Sequence, residues 1–125
     1  MSESAHHILV VEDEPELRGY IVEELEDCGF AVSAAENGAV ALTMARDDVP
    51  DLILTDIRMP KMTGTELFFA AREENALARV PFLFLTALSS TEALESLPAT
   101  EKPHVIKKPV DYDFLISIIR ARLEE

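Results

Sequence analysis

The chain has 125 residues, 48% of them hydrophobic, and a net charge of −13 from 24 acidic and 11 basic side chains. This is enough apolar material for one buried core and too much for a disordered chain. The acidity repels nucleic-acid backbones and anionic membranes, and no apolar run approaches the ~20 residues that span a bilayer. The polar start, residues 1–7, lacks the basic and apolar regions of a secretory signal, and the lone Cys28 has no partner for an internal disulfide, so a cytoplasmic setting is expected.

Residues 1–6 read as a disordered tail on a single domain spanning 1–125. The apolar run 8–12 predicts a first strand. Pro15 suits a helix start, and Leu17, Tyr20, Ile21, Leu25 and Cys28 recur at helical spacing up to a stop at Gly29. Cys28 falls in that apolar stripe and reads as a small core residue. A weaker strand follows over 30–34, then an Asn37-Gly38 turn and a short helix over 39–47. The third strand is 52–56. Residues 57–64, with Pro60 and Gly64, read as a loop, and 65–74 as a helix. The fourth strand is 81–86. Ser89 to Glu92 has the form of a capping box and opens a helix reaching about Leu97. Pro98 and Pro103 bracket an irregular stretch expected to be the least stable part of the fold. A short strand over 105–107 and a helix capped by Asp111 and ending near Leu123 complete the chain.

Strands alternating with helices five times imply a parallel sheet covered on both faces, a doubly wound (βα)5 α/β sandwich. The unbroken apolar runs 52–54 and 82–85 suit strands buried on both sides. With right-handed crossovers the natural strand order is 2-1-3-4-5, and its switch point lies between strands 1 and 3.

Polar residues stand at the carboxyl ends of four of these strands, where open parallel sheets build sites. They are Glu12 and Asp13, Asp56, Thr86, and Lys108. Each has a plainer reading alone: the first two as helix caps, Asp56 as a strand-end turn residue, Thr86 as an ordinary strand threonine. Delivered together to one edge, they make a cation and phosphoryl site, because a carboxylate can attack phosphorus when opposing charge is neutralised. Lys107 alternates to the other side of its strand. His6 and His7 are assigned to a mobile terminus and His104 to a strand surface, none of them as ligands.

The segments 8–14, 51–60, 84–87 and Lys108-Pro109 together resemble the receiver domain of two-component response regulators, a flavodoxin-like fold, over nearly the whole chain. The resemblance implies that Asp56 accepts a phosphoryl group and that Glu12, Asp13, Asp56 and the main-chain carbonyl of Arg58 hold Mg²⁺. It implies that Thr86 and Lys108 contact the phosphoryl group, with the Ala87 main-chain N–H serving another oxygen, and that the Lys108–Pro109 bond is cis. The implied donor is a sensor histidine kinase or a phosphotransfer protein. The implied output is a changed face, formed by the 89–97 helix, the fifth strand and the last helix, read by a downstream protein or a phosphorylation-linked dimer. No direct binding to nucleic acid or membrane is expected. Such a domain catalyses only its own phosphorylation and dephosphorylation and is not otherwise an enzyme. It stands alone or is one piece of a longer protein.

Two features depart from the family pattern. Val105 stands where receivers usually carry an aromatic ring, so aromatic–threonine switching is absent or altered. The stretch 96–104 replaces the usual longer helix and Gly-Ala turn, and phosphorylation is expected to order it. Arg58 and Leu88 flank the phosphate path, and slow self-hydrolysis is expected. Two other readings compete. An aspartate-nucleophile phosphatase needs a second acid two residues after Asp56, where Arg58 stands. A flavodoxin-like cofactor binder needs a Ser-, Thr- or Gly-rich loop after the first strand, where Asp13-Glu14-Pro15-Glu16 stands.

Overall fold

The computed structural model describes residues 5–59, 61–87, 95, 97–101 and 104–124. Five strands form one parallel sheet: β1 (His7–Val11), β2 (Ala31–Ala35), β3 (Leu52–Asp56), β4 (Phe82–Thr86) and β5 (Val105–Lys107), in the order β2-β1-β3-β4-β5. Among the described residues four helices cover it: α1 (Pro15–Asp27), α2 (Gly38–Asp47), α3 (Gly64–Arg72) and α4 (Tyr112–Leu123). None is long and apolar enough to cross a membrane.

Period-two alternation sorts the strand residues between two cores. Ile8, Val10, Leu52, Leu54, Leu83, Leu85 and Ile106 face α1 and α4, joining Ile21, Leu25, Leu115 and Ile119. Leu9, Val11, Ile53, Phe82 and Phe84 face α2 and α3, joining Leu42, Ala45, Leu67 and Phe68. All of β3 and β4 is therefore buried, as expected of central parallel strands, while the edge strand β2 is half open. Cys28 caps the end of α1 and packs beside the first core.

Helix starts follow local capping chemistry. Pro15 opens α1 and Asp111 Oδ1 accepts from Phe114 N at the head of α4. The Asn37-Gly38 pair is a cap rather than a free turn: Asn37 Oδ1 accepts from Val40 N at 2.9 Å, so α2 begins at Gly38. Thr63 and Glu66 form a capping box that starts α3 at Gly64. The capping box expected at Ser89–Glu92, and Leu88, lie outside the described residues.

Three placements correct the sequence reading. His7 belongs to β1, with its ring Nε2 2.7 Å from Ser33 Oγ and its backbone N donating to Asp51. The backbone of His6 continues the pairing, accepting from Ala31 N. In the stretch expected to be loose, Leu97 is buried in the α2/α3-side core and Glu101 is buried too. His104 lies in the turn before β5 with its Nδ1 3.5 Å from Glu101 Oε1, so it is no surface-strand residue. Burial of Glu101 beside Arg122 of α4 explains both shifts.

Candidate functional site

Sheet register brings the polar residues together. Val11 pairs with Thr55, Asp56 with Leu85, and Thr86 with Lys107. One step beyond, the ladder continues: Glu12 N donates to Ala35 O, Ile57 N to Leu85 O and Lys108 N to Thr86 O. These main-chain bonds fix where each strand end releases its side chain. The result is a cleft of about 310 Å³ lined by Glu12, Asp13, Asp56, Arg58, Thr86, Ala87 and Lys108, with Glu14 and Leu85.

Oxygens of Glu12, Asp13 and Asp56 lie within 4.8 Å of one another. Glu12 and Asp56 are buried, whereas Asp13 is exposed at the rim. Lys108 reaches in from past β5, its Nζ 2.9 Å from Asp56 Oδ1 and 3.3 Å from Glu12 Oε1. The contact to Asp56 is a close ion pair, and buried Oδ1 has no further hydrogen-bond donor among the described residues. The Lys108–Pro109 peptide is cis, and Lys107 points out to solvent.

Charge in the cleft is unbalanced. Burial first, and then the hydrogen bond and charge of Asp56, push the Glu12 carboxyl up to about 8. Burial pulls the Lys108 ammonium down, but Asp56 and then Glu12 more than offset this and hold it above its ordinary value. One ammonium stands against three acids, and Glu12 is the one pushed towards its neutral form. An oxygen-only cluster with an undersupplied buried carboxylate is the donor set a hard divalent cation takes, so the residues present fit Mg²⁺.

The hydroxyl of Thr86 sits at the mouth of the cleft and donates to Ala87 O at 3.2 Å. Val105 opens β5 opposite Phe84 and packs against the α2/α3-side core. Two contributors were not singled out in the sequence. Glu14 N donates to Glu12 Oε2 at 3.1 Å, and Arg18 donates to the Glu12 main-chain carbonyl at 2.8 Å. The available signal was spacing: Arg18 lies one turn into α1 and looks back along the helix start.

The chain matches the family model for the response regulator receiver domain over residues 8–120. It is 40% identical over 93 residues to Histidine kinase P4 of Formosa agariphila, covering 71% of this chain and spanning 7% of that kinase's length. Its fold superposes with a TM-score of 0.87 on the receiver domain of a signal transduction histidine kinase from Syntrophus aciditrophicus, at 29% identity, covering 96% of this chain and 91% of that one. It also superposes, with a TM-score of 0.86 and 26% identity over 97% of this chain and 99% of the other, on the receiver domain of a sensor histidine kinase from Pseudomonas aeruginosa PAO1, whose structure has a magnesium ion coordinated in the active site cleft. The chain therefore belongs to the response regulator receiver domain family of two-component signalling.

Proposed function

We propose that this receiver takes a phosphoryl group onto Asp56 from a sensor histidine kinase or phosphotransfer protein and passes the signal to a downstream protein. The observation that carries the reading is the convergence of three carboxylates with the Lys108 ammonium in one cleft. Glu12, Asp13, Asp56 and the Arg58 carbonyl would hold Mg²⁺, which when bound supplies positive charge against the phosphoryl oxygens. An Asp56 carboxylate oxygen attacks phosphorus, and the bond from phosphorus to the donor atom breaks, its electrons leaving with the donor. Lys108 turns from its contact with Glu12 towards the transferred group, keeping its charge at Asp56. Thr86 exchanges its bond to the Ala87 carbonyl for one to a phosphoryl oxygen, and the Ala87 N–H serves another. Positioning and electrostatics do most of this work.

Val105 offers no ring to follow Thr86, so output runs through β5 and α4 without aromatic switching. Arg58 on the cleft wall hinders an attacking water and makes the phosphate long-lived; a half-life of seconds would contradict this. A phosphatase reading lacks its second acid, since Arg58 occupies that position.

Intact mass after incubation with Mg²⁺ and a small acyl phosphate tests the assignment. We expect one added phosphoryl group on the wild type and none on Asp56→Asn. A modified Asp56→Asn protein, or an unmodified wild type, overturns it.

A further inference from the structure

The loop between β3 and α3 carries Arg58 into the cleft and is held at both ends. At its far end Gly64 N donates to Ile57 O at 2.8 Å, and a side chain at Gly64 would run into the Asp56 carbonyl oxygen. Near the middle, Lys61 takes a left-handed conformation with φ 71°. The next residue, Met62, turns inward and packs against the α2/α3-side core.

What Met62 meets there is Gly38, the first residue of α2, on a separate element. Gly38 is buried. A Cβ built on it would lie 2.8 Å from Met62 Cγ, 2.9 Å from Met62 Cβ and 2.8 Å from the Met62 main-chain oxygen. The clash with Cγ is relieved by a rotamer change. The clashes with Cβ and the main-chain oxygen are relieved only by moving the loop or the helix. Interiors are close-packed, so a displacement of this kind propagates instead of being absorbed.

We infer that Gly38 is a positioning residue for the metal side of the cleft. Its missing side chain lets the head of α2 seat against Met62, and that seating sets the loop that presents the Arg58 carbonyl. The inference rests on the Mg²⁺ reading above. It assigns to α2, which contributes no side chain to the cleft, control over one wall of it. The expected signature is selective. Alanine is the better helix former, so Gly38→Ala does not lose affinity through helix propensity. Asp56, Thr86 and Lys108 hang from strand ends that the change does not touch.

The test titrates Mg²⁺ alone into wild type, Gly38→Ala and Gly19→Ala by calorimetry. Gly19 is the internal control, because a Cβ there meets nothing within 4 Å. Gly19→Ala should bind as wild type does. Gly38→Ala should bind roughly tenfold more weakly, the scale of a lost supporting contact around a metal. At saturating Mg²⁺ its rate of phosphoryl uptake from a small acyl phosphate should return close to wild type. Amide hydrogen exchange without metal should quicken at residues 57–59, 61 and 62 and stay unchanged in β1 and β3. Equal Mg²⁺ affinity in Gly38→Ala and wild type overturns the inference, as does unchanged exchange in the loop. If Gly38→Ala does not fold, Met62→Gly removes both side-chain carbons of that contact from the other side, and unchanged loop exchange there overturns the inference. A wild type that binds no Mg²⁺ sinks the metal reading instead, and the metal-free exchange still decides whether Gly38 seats the loop.

Discussion

Two buried carboxylate sites stand at opposite ends of the same sheet, and they are built to opposite charge balance. At the carboxyl ends of β1 and β3, Glu12, Asp13 and Asp56 share the single ammonium of Lys108. At the other end Glu101 lies 3.5 Å from Arg122 and 3.5 Å from His104, and its charge also acts on the half-buried Arg72. Arg72 donates to Val80 O and stacks on Phe68, and Arg122 donates to Phe82 O. The first site has acid in excess beside an open cleft. The second has base in excess and is closed by aromatic rings and main-chain carbonyls. A buried ion is tolerated when it is paired and solvated by dipoles. Glu101 Oε1 stands between Arg122 and His104 as an ion pair without a hydrogen bond, and the charge of Glu101 ties the approach to β5 onto α3 and α4. At the Glu12–Asp56 pair the acids outnumber the one ammonium beside them, and the cleft over them stands open.

The largest break in that comparison should come from metal. Mg²⁺ at a hundred times its dissociation constant should stabilise the wild type against unfolding by ~2.7 kcal/mol, the linkage value for a ligand that binds only the folded chain. Asp56→Asn with Asp13→Asn should abolish the response, whereas Glu101→Gln should keep it in full. A metal response that survives in the double variant would erase the distinction between the two ends.

Removing Lys108 should act next most strongly. In metal-free Lys108→Ala, Glu12 and Asp56 lose their counter-ion, and urea unfolding should show a loss of ~1–3 kcal/mol, the cost of an unsatisfied buried polar group. Mg²⁺ should still bind, since the lysine supplies no ligand, and should restore most of the loss. Phosphorylation should then fail to change the chemical shifts of β5 and α4. Full shift changes in this variant would remove Lys108 from the signalling route.

Glu101→Gln should cost about as much or somewhat less, ~1–2 kcal/mol, because the amide keeps one acceptor for Arg122 and loses the charge. Its Mg²⁺ affinity should equal that of wild type. A Mg²⁺ affinity that moves with Glu101 would show the two ends to be coupled through β4 and β5.

How far the site could be read from the sequence depended on the residue. Asp56, Thr86 and Lys108 were legible because each follows an apolar run that only a buried strand explains, and strand ends in a parallel sheet share an edge. The start of α3 was placed one residue late, at Thr65, because Thr63 and Gly64 also suit the end of a loop and the Thr63–Glu66 capping box went unread. His7 was taken for tail because one apolar run fixes a strand's centre better than its start. Glu101 gave no sign of burial: its partner Arg122 lies some twenty residues away along the chain, and two prolines nearby pointed to a loose segment; His104 follows Glu101 into that place.

The sequence by itself determined the element order, the doubly wound parallel sheet and the identity of the cleft's side chains. Hydrophobic period and capping are local, and strand order follows from crossover handedness. Only the tertiary structure decided which acids are buried, how one ammonium is divided between Glu12 and Asp56, and that Gly38 meets Met62. Those are properties of distance and dielectric between segments far apart in the chain, and no local pattern encodes them.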